Sequence, residues 1–247
     1  MVVRRCLVAS SLSLFFTLGC DNGGNSSTKY TKQAVQEINV AQFLTEAESI
    51  QKAQTLFDEG NNLLDTQRYQ DAIAVYNQAI AIKADNPDTW INRGNALFSL
   101  SSYNTALKSY DHAIALNPNK DEAWYNRGNV LTSLKQYPQA LASYDQAIAL
   151  QPNKPEALIN RGIVLTKLQR YQEALSSYDQ AIAIKPEKHQ AYYNKACTYA
   201  LEKNVDLAIE NLQKAIQLSP HQYQQLAKID SDFDHVREHP KFKALIK

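Results

Sequence analysis

Charge of neither sign is in excess. The chain has 26 Lys and Arg against 25 Asp and Glu, a formal net charge of +1, with no run of five like charges. That balance excludes the basic footprint of a nucleic-acid binder. Cysteine is scarce as well: Cys6 and Cys20 sit in the first twenty residues, leaving Cys197 with no partner for a disulfide. No glycine-rich phosphate loop and no serine or cysteine nucleophile motif occurs, so no catalytic residues are assigned. The one long uncharged run, 6–19, is shorter than the roughly 20 residues of a membrane span. Glycine is the most telling shortage. After residue 24 only Gly60, Gly94, Gly128 and Gly162 remain, and each is 34 positions from the next.

A period of that length marks an array of supersecondary units. Ala196 takes the next place in the glycine series. Ala72, Ala106, Ala140, Ala174 and Ala208 form a second ladder, followed four residues on by Tyr76, Tyr110, Tyr144, Tyr178 and Leu212. Pro118, Pro152, Pro186 and Pro220 form a third. With Trp124 in first place, one unit reads Trp124-x2-Arg127-Gly128-x2-Leu131, then Ala140-x3-Tyr144, then Pro152. This resembles the tetratricopeptide repeat family, whose pattern is W-x2-L-G-x2-Y, A-x3-F and P on a 34-residue period. The resemblance implies an all-α, right-handed αα solenoid of five helix hairpins, 53–86, 87–120, 121–154, 155–188 and 189–222. Where the family prefers Leu before the glycine, this chain carries Arg93, Arg127 and Arg161, with Glu59 and Lys195 in the outer units.

Local physics agrees with the hairpin. Tyr103, Ala106, Leu107, Tyr110, Ala113 and Ile114 recur at spacings of three and four, one face of an amphipathic helix. Trp90 to Leu100 reads as the helix before it. Gly94 inside that helix costs about 1 kcal/mol relative to alanine, so close packing near Ala106 is expected to compensate. Pro138 falls near a helix start, where a missing N–H does no harm.

Ahead of the array, Arg4 and Arg5 precede the apolar run, the form of a signal peptide over residues 1–19. Phe16-Thr17-Leu18-Gly19-Cys20 resembles the bacterial lipobox, which implies lipidation of Cys20 and a lipoprotein facing the periplasm or extracytoplasmic space. Cleavage without lipid, giving a secreted or periplasmic protein, is the alternative. Residues 20–33 are then a lipidated N-terminus and flexible tether, and 34–52 a helical extension. Thr45-Glu46-Ala47-Glu48 has the form of a capping box. It predicts a repeat helix from about Glu46 to Leu64, with a short helix from Ala34 to Phe43 before it. At the other end, residues 223–247 are expected to cap the array, with Phe233, Val236, Phe242 and Leu245 docked on the last repeat.

The resemblance implies binding rather than catalysis, with the first helix of each repeat lining a concave groove. Asn92, Asn126, Asn160 and Asn194 recur at 34, and Asn95 and Asn129 lie three residues after the first two, on the same helix face. Asparagine is a mediocre helix former, and its amide both donates and accepts, which suits the backbone of an extended peptide. Inter-repeat hydrogen bonding is the competing reading. Phe57, Ile91, Tyr125, Ile159 and Tyr193 occupy neighbouring groove positions and carry no charge. The groove is expected to take an uncharged protein segment, with Tyr125 and Tyr193 adding apolar contact. A scaffold or assembly factor at the outer face of the cytoplasmic membrane fits best; a non-catalytic regulatory subunit of an envelope enzyme is the alternative. No metal, cofactor, nucleic acid or small-molecule substrate is expected. His235 and His239 have the spacing of a zinc pair, but Pro240 disfavours helix there.

Overall fold

The computed structural model describes residues 26–247. The proposed signal sequence, Cys20 and the first part of the tether lie outside the described residues. These form two units, one ending at Ala47 and one running from Glu48 to Lys247. The described residues are all-helical, and no helix among them is long and apolar enough to cross a membrane. Helix α1 runs Ser26–Asp65.

Two expectations fail along α1. The helix already includes residues 26–33, which were expected to be tether, and it has no break near residue 44. After Gly24 no glycine or proline occurs before Gly60, so nothing in the sequence stops a helix once begun. Thr45 therefore does not cap a start: its hydroxyl donates to the Gln42 carbonyl one turn back.

In the second unit the helices alternate as hairpins: α2 (Tyr69–Ile82), α3 (Pro87–Ser99), α4 (Tyr103–Leu116), α5 (Asp121–Ser133), α6 (Tyr137–Leu150), α7 (Pro155–Lys167), α8 (Tyr171–Ile184), α9 (His189–Leu201) and α10 (Val205–Leu218). Each packs on its neighbours in sequence, and α3, α5, α7 and α9 also touch one another in turn, so the first helices of the hairpins share one face.

The prolines stand where their chemistry allows. Pro87 and Pro155 open α3 and α7, and Pro138 lies in the first turn of α6. Pro118, Pro152 and Pro186 occupy the turns after second helices, as expected. The turns inside the hairpins follow one geometry. Gln67, Ser101, Lys135, Gln169 and Lys203 each have φ near 60°. In the third, Lys135 N–H donates to the Thr132 carbonyl at 2.9 Å and Gln136 N–H to the Leu131 carbonyl at 2.8 Å, a Schellman motif built without glycine.

The repeat glycines are explained by rings. A Cβ on Gly60, Gly94, Gly128 or Gly162 would lie 2.4–2.6 Å from the Cε1 of Tyr76, Tyr110, Tyr144 or Tyr178. Close packing is as expected, but the partner is the tyrosine of the second helix, four residues beyond the alanine. All four rings are buried, as are Ala106, Ala140 and Ala174. In the fifth repeat both members change together, to Ala196 and Leu212, and both are buried.

The segment after α10 packs over the end of the array. α11 (Pro220–Ile229), a 3-10 turn at Ser231–Phe233 and α12 (Pro240–Leu245) follow α10. Phe233, Val236 and Phe242 are buried in one core with Tyr193, Ala196 and Leu212, and Leu245 packs against it. Arg237 holds the cap by donating to the carbonyls of Ala227, Lys228 and Asp230.

Candidate functional site

The arginine before Gly94, Gly128 and Gly162 is a clamp between hairpins. Arg127 Nε donates to Asp111 Oδ1 on α4 at 2.7 Å, while its Nη1 donates to the buried Ser143 Oγ on α6 at 2.7 Å. Arg161 repeats this with Asp145 and Ser177, and Arg93 with Asn77 and Ser109. Lys195 keeps only the acidic partner, Asp179. Thus the departure from the family pattern is structural, and Asp111, Asp145 and Asp179 are ion-paired rather than merely solvated.

The asparagines form a hydrogen-bonded ladder on the shared face of the first helices. Asn95 Oδ1 accepts from Tyr110 Oη at 2.7 Å and from Asn126 Nδ2 of the next repeat at 2.9 Å. Asn129 Oδ1 accepts from Tyr144 Oη at 2.8 Å and from Asn160 Nδ2 at 2.9 Å. Asn61 accepts in the same way from Tyr76 and Asn92. Burial pushes all three tyrosine hydroxyls well above their ordinary range, so they remain donors.

Each rung joins two repeats; Asn92 Oδ1 is further engaged by Asn95 Nδ2 at 3.5 Å, whereas the Oδ1 atoms of Asn126 and Asn160 are left over. Among the described residues no hydrogen bond reaches Oδ1 of Asn126 or Asn160, and neither atom is fully buried, so both retain contact with solvent. Tyr125 stands beside this row, half-buried, its ring tilted against Tyr144 and its hydroxyl accepting from Asn160 Nδ2 at 3.3 Å. Lys154 lies 4.9 Å over the Tyr125 ring but is committed to Asp121 at 2.7 Å.

The ladder stops before the fifth repeat, and two expected groove residues leave it. Ile163 stands where Asn61, Asn95 and Asn129 stand and offers no acceptor, so the Asn194 amide turns to its own helix, donating to the Gln190 carbonyl. Tyr193 is 5% exposed. Its ring stacks on Tyr223 at 4.6 Å, meets Phe233 edge-on, and its hydroxyl donates to Asp230 at 2.7 Å. The cap occupies the space that a partner would need.

Of the expected groove residues, Asn92, Asn95, Tyr125, Asn126, Asn129 and Asn160 remain together on the shared face of the first helices as the candidate site. Three contributors were not singled out in the sequence: Asn61, which the 34-residue period marks, and Phe98 and Ile163, which carry no motif.

Under the cap, ligand atoms of Cys197, Asp230 and Asp232 lie within 4.8 Å of one another. Burial pushes the Cys197 thiol well above its ordinary value and raises Asp232, which keeps the thiol protonated. Asp230 is already engaged, accepting from Tyr193 Oη and from the Asp232 N–H. His235 and His239 are in irregular chain, and no helix joins them.

Two family models meet this architecture. One described as "TPR repeat" matches residues 60–101 and 94–134, and one described as "Tetratricopeptide repeat" matches 121–154, 155–188 and 189–222. The chain belongs to the tetratricopeptide repeat family. Its matched boundaries coincide with three of the five expected repeats.

Many solved structures resemble it. YrrB, described as a TPR protein with an unusual peptide-binding site, is 26% identical over 76% of this chain and 96% of its own, with a TM-score of 0.64. MamA is 23% identical over 64% of this chain and 93% of its own, with a TM-score of 0.62. MamA from Desulfovibrio magneticus RS-1 is 22% identical over 68% and 94%, with a TM-score of 0.65. The likeness to MamA is one of fold. No curated protein matches the sequence significantly.

Proposed function

We propose that this tetratricopeptide protein is an interaction scaffold that holds an extended, uncharged segment of a partner protein against the asparagine row of its first helices. The observation that carries the reading is the pair of solvent-contacting acceptors, Asn126 Oδ1 and Asn160 Oδ1, held in fixed orientation by their own Nδ2 bonds to the preceding repeat. An acceptor preset in this way binds a peptide N–H without first losing rotamer freedom. The resemblance to YrrB, whose description names a peptide-binding site, supports a peptide as the ligand class.

The reading includes presentation at the outer face of the cytoplasmic membrane through a lipid on Cys20. It rests on the resemblance of Phe16–Cys20 to a lipobox. Acyl chains contribute about 0.8 kcal/mol per buried CH2, and two anchoring signals give stable attachment.

Crosslinking in intact cells, followed by pull-down from solubilised membranes, identifies the partner. Asn126→Ala with Asn160→Ala should weaken its capture about tenfold or more, each lost hydrogen bond contributing about 0.5–1.5 kcal/mol. Undiminished capture by a variant that still melts cooperatively would place the partner elsewhere. Cys20→Ser should move the protein from the membrane to the soluble fraction, and a wild type that takes up no fatty-acid label would remove the anchor.

A further inference from the structure

Two large apolar side chains flank one cavity on the shared face of the first helices. Ile163 breaks the asparagine series of Asn61, Asn95 and Asn129, and Phe98 belongs to a position that varies along the array as Leu64, Phe98, Thr132, Thr166 and Ala200. Both line an open cavity of about 300 Å³ over α5, together with Asn129, Thr132, Tyr144 and Asn160. A repeat copied from the preceding one would have placed an asparagine at 163. Ile163 stands there instead and lines the same cavity as Phe98.

The cavity carries no charged side chain. Its polar floor is bonded to itself: Tyr144 Oη and Asn160 Nδ2 both donate to Asn129 Oδ1, and Thr132 Oγ1 donates to the Gly128 carbonyl. A charged side chain entering it would lose hydration and find no counter-ion. An apolar one would cover the half-exposed faces of Phe98 and Ile163 and displace no bond of the floor. Asn160, whose Oδ1 has no hydrogen-bond partner among the described residues, also lines the cavity and leaves an acceptor for the backbone of such a ligand.

We infer that this cavity is the specificity pocket of the groove, taking one aliphatic or aromatic side chain from an otherwise neutral, extended partner segment. The inference rests on the groove reading above. It adds that the groove selects sequence at one position, whereas the asparagine row reads only backbone.

A random peptide library displayed on phage and panned over the full chain tests it. Selected peptides should be uncharged at their centre and share one aliphatic or aromatic position. Phe98→Thr with Ile163→Asn restores the residues of neighbouring repeats and should keep the fold, checked by thermal melting. It should lower the affinity of a selected peptide about tenfold or more, since pocket contacts of a few methylenes are worth that much. Replacing the shared apolar residue by Ser should cost the same in the wild type and nothing further in the variant. Peptides that lose binding to Asn126→Ala/Asn160→Ala but bind the Phe98→Thr/Ile163→Asn protein unchanged would overturn the pocket and leave the groove standing. Peptides insensitive to both pairs, or no selected peptides, would overturn both. Concentration-dependent dimerisation abolished by Phe98→Thr/Ile163→Asn would assign the pocket to a second copy of the chain and overturn the partner segment.

Discussion

Alanine at position 128 tests the central packing device. Its Cβ would lie 2.6 Å from Tyr144 Cε1, 2.8 Å from Cδ1 and 2.9 Å from Cζ, distances that non-bonded carbon atoms do not tolerate. The ring cannot simply swing away. It is 1% exposed, and its hydroxyl is tied to Asn129 at 2.8 Å and to Thr132 at 3.1 Å. Overpacking of this kind costs about 1–3 kcal/mol. Displacing the hydroxyl adds about 0.5–1.5 kcal/mol. Replacing a helical glycine returns about 1 kcal/mol. The net expectation for Gly128→Ala is a loss of about 0.5–3.5 kcal/mol, or a fall in Tm of roughly 1–14 °C for a chain of this size. The fifth repeat supplies the internal control, since Ala196 is accommodated there opposite Leu212. Tyr144→Leu should therefore be less damaging in the Gly128→Ala background than in the wild type, with a coupling of about 1 kcal/mol or more. Circular dichroism melts of the four proteins measure the cycle. A Gly128→Ala protein as stable as the wild type, or strict additivity, would refute the argument.

Other changes follow from the same geometry. Lys135→Gly should raise Tm, because a side chain at φ 59° costs about 1–2 kcal/mol and glycine's own entropic cost offsets only part of that. Arg127→Leu, which restores the family residue, should destabilise the chain by about 1–2 kcal/mol, because it removes the Arg127 bonds to Asp111 and Ser143; thermal melting checks it. Lys188 holds Glu156 below the ordinary carboxylate range, so the pair's contribution is present above the unfolded pKa and lost as pH falls through the lowered folded value. Being partly exposed it is worth less than about 1 kcal/mol, and Glu156→Gln should flatten the acid limb of stability against pH only slightly. Cys197 should resist iodoacetamide in the native protein at neutral pH and react on unfolding, because burial both blocks the thiol and raises its pKa.

Periodicity made the hairpins legible, since a spacing of 34 in glycine, alanine and proline leaves little freedom in register. It also marked the asparagines, but not what they bind. Whether Asn126 faces a ligand or Asn95 depends on an amide 31 residues away in sequence, and the structure shows that one half of each amide does the structural work. The arginine clamp was hidden for a similar reason: Arg127 reads as a groove anomaly until Asp111 and Ser143, both 16 residues distant, are seen around it. Nothing in Gln67, Ser101, Lys135, Gln169 and Lys203 announces a left-handed backbone, because residue type there is set by exposure and the conformation by the six-to-one bond that follows. Along α1 the capping-box pattern misled, because Thr45 satisfies its hydroxyl one turn back and the local sequence has no breaker.

The departures from the period explain where the groove ends. Ile163 removes an acceptor, so Asn194 folds back on its own helix; with no rung to continue, the face of α9 becomes apolar and needs cover. Tyr193 and Cys197 supply that apolar face, and Asp230 of the cap takes the Tyr193 hydroxyl, whereas two repeats earlier the Asn160 amide meets the Tyr125 hydroxyl. Terminal repeats of an array must end its hydrophobic face without a neighbour, and here one change in the fourth repeat makes the fifth a foundation for the cap. The stretch left open, α3 to α7, is where Asn126 and Asn160 still present unbonded acceptors and where Phe98 and Ile163 face the same cavity. The residue that ends the ladder is thus also a wall of the proposed specificity pocket, so Ile163→Asn should act at both places at once. It should extend the ladder by giving the Asn194 amide an acceptor, and it should weaken selection for an apolar side chain.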